Sequence, residues 1–308
     1  MRTGTRLWRW TGLLGLLLLP LAGIAAECRA VAPERIAGAP NDFGKGLLWR
    51  IDGAGAAPSY LFGTFHTSDP RITTLPCPVQ QAFDGATSYT MEVIMNGAGL
   101  VSMAEAMFFS DGKTLEDVLG AALYQEVVAI LTQQDAAKAR AVRHMKPWAV
   151  MMAFSGAGDG GGGLFLDMAL QLRATRHDKP TYGLETMQEQ IAVFNGMSLD
   201  DQVVLLRDAL QTRHTQEHAM EELTAAYLAR DLAAITGLND KYKPADLRVH
   251  AELMDRLLTA RNRNMAERMR ARLKEGNAFV AVGALHLPGD TGLLRLLTNA
   301  GYRVTRLY

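Results

Sequence analysis

The chain has 308 residues, with 32 basic against 32 acidic side chains and 48% hydrophobic residues. A balanced charge of this kind gives no indication of nucleic-acid binding, and we expect no nucleic-acid partner. The length is ample for one large α/β domain and short for two independent ones.

Residues 1–26 have the features of a secretory signal peptide. Three arginines precede an uncharged, leucine-rich stretch that closes on small residues. We therefore expect a cleaved leader, a mature domain over residues 27–308, and a periplasmic or secreted location. Cleavage would leave 29 basic against 32 acidic side chains. No later run reaches the roughly 18 to 20 apolar residues of a spanning helix, so we expect no membrane span after cleavage.

Six runs of β-branched and aromatic residues predict strands. They cover 47–51, 60–65, 89–94, 181–184, 278–282 and 302–307. Apolar residues at helical spacing predict long helices, which cover 115–131, 199–228 and 246–274, and a short helix over 291–299. Asp246 and Gly276 are expected to cap and to end the third of these helices. The order predicts an α/β fold, with a central sheet and a helical lobe over about 97–275 inserted between N- and C-terminal strand regions.

Two of these strands end in the same pattern, Gly-x-x-His. Gly63 and His66 form the first motif, and Gly283 and His286 form the second. A glycine at the end of a strand lets the backbone turn sharply and approach a ligand, and ligands of open α/β sheets bind at such ends. Two histidines brought together there can hold a metal ion or share acid and base roles. We expect His66 and His286 to meet in one pocket.

Three acidic residues lie near predicted strands. Glu92 interrupts an apolar strand, where an unpaired carboxylate is costly to bury, and we expect it beside His66 as a ligand or general base. The alternative is an edge strand on which Glu92 faces water. Glu185 ends another strand, or else it is a first-turn acid favoured by a helix dipole. Asp167, on the preceding helix, is expected to be an exposed helical residue.

The segment 261–264 carries two arginines on the third long helix. We expect most of its charge to be solvated, because the apolar stripe of this helix lies elsewhere. One arginine turned inward would suit a developing oxyanion or a substrate carboxylate.

Two further patterns have competing interpretations. Residues 214–218 read His-x-x-Glu-His, which is typical of a helical zinc site, but the segment is strongly charged and a solvated helix face is the alternative. The run 156–163 matches the letters of a dinucleotide fingerprint. A helix rather than a strand is predicted before it, so we expect a flexible glycine-rich loop instead.

Two cysteines, Cys28 and Cys77, would remain after removal of the leader. In an oxidising compartment a pair of cysteines favours a disulfide bond over a metal site. We expect the bond to tie the N-terminus to the loop after the first Gly-x-x-His motif.

Taken together, these motifs resemble those of the TraB/GumN family, which is related to the Tiki proteases and more distantly to ChaN and erythromycin-esterase-like proteins. The resemblance extends nearly end to end. It is carried by Leu48-Trp49-Arg50-Ile51, Tyr60-Leu61-Phe62-Gly63-Thr64-Phe65-His66, Glu92, Gly183-Leu184-Glu185-Thr186, Arg261-Asn262 and Val282-Gly283-Ala284-Leu285-His286.

The resemblance implies an α/β fold in which both histidine motifs meet at one site. Through the Tiki relatives it also implies a metalloprotease that depends on a divalent ion such as manganese or cobalt. By position, the implied metal or catalytic residues are His66, Glu92 and His286. Catalytic roles are further implied for the residues at three other motif positions, Glu185, Arg261 and Asn262.

The leading hypothesis is a periplasmic, metal-dependent hydrolase of the peptidase type, which uses the two Gly-x-x-His histidines and a carboxylate and whose substrate is a peptide or a small molecule. One alternative is a non-catalytic protein that binds a metal, a heme-like ligand or a partner protein. The other is a metal-independent hydrolase of the esterase type that uses a histidine base.

Overall fold

The computed structural model describes residues 43–53, 56–134, 136–154 and 164–308. Three of the predicted features fall outside these ranges: the leader over 1–26, the cysteine Cys28, and the glycine run over 156–163. The bond between Cys28 and Cys77 therefore stays a prediction.

All six predicted strands are present and form one sheet. Their bounds are Leu48–Asp52 (β1), Ser59–Thr64 (β2), Ser88–Val93 (β3), Thr181–Glu185 (β4), Ala278–Gly283 (β5) and Arg303–Arg306 (β6). The order across the sheet is β4-β3-β5-β2-β1-β6. The pairs β4–β3, β3–β5 and β5–β2 are parallel, whereas β1 is antiparallel to β2 and to β6. This mixed sheet confirms the predicted α/β class, and β4 joins it from within the segment predicted as a helical lobe.

Helices make up most of the chain between β3 and β5. The described α-helices are Pro70–Thr73 (α1), Cys77–Gly85 (α2), Gly97–Ala106 (α3), Leu115–Leu119 (α4), Ala121–Gln134 (α5), Ala136–Ala141 (α6), Pro147–Phe154 (α7), Leu166–Arg176 (α8), Met187–Asn195 (α9), Leu199–Thr212 (α10), Gln216–Leu228 (α11), Leu232–Lys241 (α12), Leu247–Met254 (α13), Ala260–Glu275 (α14) and Leu293–Asn299 (α15). Of the helices described, none combines the length and apolarity that a membrane crossing requires.

Two of the three long predicted helices are divided, and the third is confirmed. Gly120, at a φ of 75°, separates α4 from α5, because few residues other than glycine adopt this left-handed backbone. A 3₁₀ turn over Arg213–Thr215 separates α10 from α11. The third helix has the expected cap, Asp246, and the expected end, Gly276, and a π-helical turn over Asp255–Thr259 joins α13 to α14 without a break.

The register of β2 against β5 aligns the two Gly-x-x-His motifs. Thr64 lies opposite Gly283, so both strands end at the same edge and the motifs leave the sheet side by side. A Cβ at Gly63 would lie 3.1 Å from the backbone Cα of Ala284. Gly63 thus lets the 3₁₀ turn Ala284–His286 pack directly on β2.

The centre of the sheet is rigidly packed. From Ala278 to Val282, β5 is completely buried, as expected for an internal parallel strand with an unbroken apolar run. The ring of Phe279 packs against Phe83 of α2 and Tyr89 of β3, with centroids 5.2 and 6.4 Å apart. This packing fixes the strand ends from which the candidate site is built.

A capping box fixes the chain where β4 passes into α9. The Thr186 hydroxyl accepts the N–H of Glu189, and the Glu189 carboxylate accepts the N–H of Thr186. Arg268 of α14 donates to the Glu189 carboxylate and to the carbonyl of Leu184. These bonds hold the end of β4, and with it Glu185, against α14.

The close packing at Gly63 predicts a stability change. Gly63→Ala should lower the free energy of unfolding by about 1–3 kcal/mol, because the added methyl group meets backbone atoms that cannot move aside. Gly237→Ala is the matched control: Gly237 lies within α12 with open space around it, so the same substitution should raise stability by up to about 1 kcal/mol. Urea unfolding measures both, and equal effects would contradict the packing argument.

The ion pair between Glu189 and Arg268 predicts a pH dependence. The hydrogen bond from Arg268 lowers the pKa of Glu189 from 4.5 to about 2. The ion pair therefore stabilises the folded protein at a pH above the pKa that Glu189 has in the unfolded chain. This stabilisation is lost as the pH falls through the pKa that Glu189 has in the folded protein. Glu189→Gln should lower stability at pH 7 by less than about 1 kcal/mol, because the pair is partly exposed.

The deficit of Glu189→Gln should shrink as the pH is lowered from 4.5 towards 2. Urea unfolding of wild type and variant at pH 7, 5, 4 and 3 measures it. A deficit that grew on acidification would contradict the assignment.

Candidate active site

The predicted site residues gather at one edge of the sheet. His66 follows β2, Glu92 lies near the end of β3, Glu185 ends β4, and His286 lies in the turn after β5. The four strands are parallel neighbours, so their carboxyl ends share this edge, where ligands of α/β sheets bind. Arg261 reaches the same edge from α14.

Glu92 is buried in an internal strand. It is 8% exposed and lies between β4 and β5, so the alternative of an edge strand facing water is wrong. Its Oε1 accepts the N–H of Gly283 at 2.7 Å, and its Oε2 accepts Nη2 of Arg261 at 2.7 Å. Burial raises the pKa of Glu92, but the positive charge of Arg261 and the bond from Gly283 act against it, and the pKa lies below its ordinary value. Glu92 is thus ionised at neutral pH.

Arg261 links the two buried carboxylates. Its Nε lies 3.0 Å from both carboxylate oxygens of Glu185, and its Nη2 lies 2.7 Å from Oε2 of Glu185 and from Oε2 of Glu92. Its Nη1 donates to the carbonyl of Leu257 at 3.1 Å. Arg261 is therefore the inward-turned arginine, whereas Arg263 is exposed, as expected for most of this segment.

Glu185 belongs to the strand rather than to the next helix. It precedes the cap residue of α9, and its side chain is 2% exposed. The alternative of a first-turn acid favoured by the helix dipole is therefore wrong. Gln190 of α9 lies 3.4 Å from both Glu185 and Glu92 and completes the group.

Asn262 fixes the orientation of His286. The amide nitrogen of Asn262 donates to the carbonyl of Thr291 at 2.9 Å, so its oxygen faces Nδ1 of His286 at 2.6 Å. This oxygen only accepts, and Nδ1 must therefore carry the proton. Burial lowers the pKa of His286 to about 4. The ring is then neutral at pH 7, and its unprotonated Nε2 lies 3.6 Å from Oε1 of Glu92.

His66 is held by a residue that sequence reasoning assigned to the solvent. Asp167, in the first turn of α8, accepts from Nδ1 of His66 at 2.8 Å and from the hydroxyl of Thr64 at 2.7 Å. Its side chain is 14% exposed, so the expectation of an exposed helical residue was wrong. The bond to Asp167 raises the pKa of His66. Its only sequence signal, an acid in a first helical turn, is too common to have identified it.

Two cavities adjoin this group of side chains. The first, of about 340 Å³, is lined by both histidines, Glu92 and Arg261, together with apolar residues of α11–α13 and the π-helical turn. The second, of about 660 Å³, is lined by His66, Glu92 and Arg261, together with apolar residues of α3, α7 and α9. His66, Glu92 and Arg261 thus line both of these largely apolar spaces.

The rival pattern at 214–218 faces solvent. His214, Glu217 and His218 are all exposed, and His218 lies 3.4 Å from Glu222 on its own helix. The 3₁₀ turn that contains His214 also ends before α11 begins. These features fit the solvated face that was the alternative to a zinc site.

The side chains are not arranged as a closed metal-binding set. Within the ranges that the structure describes, no three or more His, Cys, Asp or Glu side chains form a group that could hold an ion. The arrangement does provide two adjacent electron-pair donors, Nε2 of His286 and Oε1 of Glu92. His66 lines the same cavity.

Comparison with known proteins identifies distant relatives of almost the whole chain. Metalloprotease TIKI2 of Xenopus tropicalis is 25% identical over 307 residues, 80% of this chain and 57% of that protein. Metalloprotease TIKI1 of Danio rerio is 24% identical over 334 residues, 92% and 66% of the respective chains. Human metalloprotease TIKI1 is 24% identical over 350 residues, 96% and 69% of the chains. This chain thus spans about three-fifths to two-thirds of their length, and no solved structure gives a significant match.

A family model described as TraB/PrgY/gumN matches residues 47–306. The match includes both Gly-x-x-His motifs and every charged residue of the site described above. It confirms the resemblance seen in the motifs. The chain therefore belongs to the TraB/PrgY/gumN family.

Proposed function

We propose that this chain is a metal-dependent hydrolase that cleaves peptide bonds, acting in the periplasm or outside the cell once its leader is removed. The observation that carries the proposal is the neutral ring of His286, whose Nε2 faces the ionised Glu92 at 3.6 Å in a cavity that His66 also lines. The names of the relatives as metalloproteases support it.

The chemistry of the donors fits a divalent ion. An imidazole nitrogen without a proton and a carboxylate oxygen repel each other at short range, and a cation between them removes that repulsion. Histidines that bind metals usually donate their other ring N–H to a carboxylate or carbonyl oxygen. His286 does this to Asn262, and His66 does it to Asp167. We therefore assign the metal to His286 and Glu92, whose donor atoms are adjacent, with His66 on the wall of the same cavity as the third ligand to test, and with manganese or cobalt as the ions to test first.

When bound, such an ion polarises a carbonyl group and lowers the pKa of water. The protein's own side chains divide the other tasks. Glu92 lines both cavities and can accept a proton from water. Asp167 accepts the Nδ1–H of His66, which leaves Nε2 of His66 as the nitrogen that would bind the ion.

Three further residues, Arg261, Glu185 and Asn262, position Glu92 and His286. Arg261 lines both cavities, holds Glu92 in its ionised form and can stabilise negative charge on a substrate oxygen. Glu185 is almost completely buried against Arg261, and Asn262 fixes the tautomer of His286. We assign positioning roles to Glu185 and Asn262.

The first test compares the wild type with His66→Ala, Glu92→Gln and His286→Ala, each supplied with metal and a mixed peptide library. Each variant should lose about 100-fold or more in cleavage rate, because each lacks a group that binds the metal or transfers a proton. Metal analysis of the purified proteins should show less bound ion in the variants. A protein with both His214→Ala and His218→Ala should keep full activity and metal content, because those residues are exposed. Equal cleavage by all these proteins would remove the proposal.

A metal-independent hydrolase is the second candidate, favoured by one observation. Asp167 and His66 form a hydrogen-bonded acid–histidine pair at the cavity, which is the arrangement of a histidine base. In that mechanism Nε2 of His66, which is unprotonated only above the raised pKa of this ring, would accept the proton of the attacking water, and Glu92 with Arg261 would position the substrate.

Chelation separates the two candidates. If a metal is required, dialysis against a chelator should abolish cleavage, and manganese or cobalt should restore it. Asp167→Asn, which keeps the shape but loses the charge, should then lower both metal affinity and rate by about 10- to 100-fold. Activity that survives the chelator but is lost in Asp167→Asn would instead establish the histidine-base mechanism.

A further inference from the structure

Two cavities share part of their lining at the same group of charged side chains, and the inference drawn from them rests on the proposed function and extends it. Four residues line both of them: His66, Glu92, Leu257 and Arg261. Their other described walls come from different helices, from α11–α13 for the first cavity and from α3, α7 and α9 for the second. A substrate held at the shared charged residues would therefore be next to both spaces.

The chemistry of both spaces is apolar. Beyond the histidines and the charged residues of the site, the described walls of the 340 Å³ cavity are apolar apart from Thr64, Tyr227 and Asn239. The hydroxyls of Thr64 and Tyr227 are already bound, to Asp167 and to the carbonyl of Gly63. The 660 Å³ cavity is lined by Met103, Met107, Trp148, Met152 and Phe194 among others, with Gln190 as its added polar residue. Burial in either space favours a large apolar group and penalises a charged one.

The π-helical turn contributes Leu257 to the lining that the two cavities share. Leu257 lies within Asp255–Thr259, and its carbonyl accepts Nη1 of Arg261. A π-helical turn widens the helix locally and is common at functional sites. The turn thus ties this shared apolar residue to the arginine that holds Glu92.

We propose that the two cavities are the binding pockets for the residues on either side of the cleaved bond, and that the substrates are peptides with a bulky apolar side chain at both positions. The peptide backbone crosses Leu257, one side chain enters the space beside Leu258, and the other enters the space beside Met152. Both volumes lie in the range of roughly 300–1,000 Å³ of ordinary ligand pockets, which is ample for a leucine, methionine or phenylalanine side chain.

Mass spectrometry of the products of a mixed peptide library tests this. Wild-type cleavage sites should carry large apolar residues on both sides of the bond, and alanine or lysine at either position should lower kcat/KM by about 10-fold or more. Met152→Glu should shift the preference on one side of the bond towards basic residues, and Leu258→Glu should shift it on the other side. Both side chains are only partly buried, and Met107→Glu replaces Met152→Glu if thermal unfolding shows that the latter is misfolded.

Matched controls use exposed residues of the same types. Met220→Glu and Leu247→Glu place the same charge at side chains of residues that are 45% and 60% exposed, away from both cavities, and should leave the preference unchanged. Cleavage sites without an apolar preference, or a shift on the same side of the bond in both cavity variants, would overturn the proposal.

A binding measurement distinguishes a failure of the two-pocket proposal from a failure of the hydrolase proposal. A capped tetrapeptide with phenylalanine at both central positions is titrated into Glu92→Gln, with the fluorescence of Trp148 as the readout and Trp148→Phe as its control. Met152→Glu and Leu258→Glu should each weaken binding about 10-fold or more when added to Glu92→Gln. If no peptide is cleaved but this binding occurs, the hydrolase assignment fails and the two pockets stand. If cleavage occurs and neither substitution changes binding or preference, the pockets fail and the hydrolase stands.

Discussion

The candidate site depends on one electrostatic constraint: two carboxylates, Glu92 and Glu185, are buried side by side and need a shared cation. Arg261 supplies it, with a planar guanidinium whose geometry suits carboxylates. Removing one partner of such a buried group costs about 3–5 kcal/mol in general, because an uncompensated charge remains. Three elements that are distant in sequence, β3, β4 and α14, are therefore held in one arrangement. The same contacts keep Glu92 ionised, so the group that stabilises the edge of the sheet also prepares it for chemistry.

The two histidines differ in burial, hydrogen-bond partner and protonation, although their sequence motifs are alike. His286 is buried, and Asn262 fixes its tautomer and leaves Nε2 facing Glu92. His66 has an exposed side chain and pairs with Asp167, which favours its protonated form. Parallel pairing of β2 and β5 brings the motifs side by side, and the helices around them supply the partners that make the two rings chemically distinct.

The charged residues of the site are surrounded by apolar walls. His66, Glu92 and Arg261 line both cavities, and each cavity has further walls from its own set of helices. The helical segment between β3 and β5 therefore forms much of the lining of both cavities in addition to covering the sheet. Relatives that are about 24% identical can share the strand-end motifs while differing in these walls, since specificity resides in the site and not in the fold.

Local sequence was sufficient for the strands and for the two Gly-x-x-His turns, because apolar runs and glycines act on neighbouring residues. It also indicated Glu92, since a carboxylate in an apolar strand needs a partner. The helices predicted over 115–131 and 199–228 are divided at Gly120 and at the 3₁₀ turn over 213–215, where a single glycine or a local change of helix type outweighs the apolar periodicity. Only the tertiary structure decided that Asp167 binds His66, that Arg261 joins Glu92 to Glu185, and that two cavities share part of their lining at these residues. Those facts depend on contacts between residues that are some 76 to 169 positions apart in the sequence. The pattern of neighbouring side chains does not determine which residues so far apart come into contact.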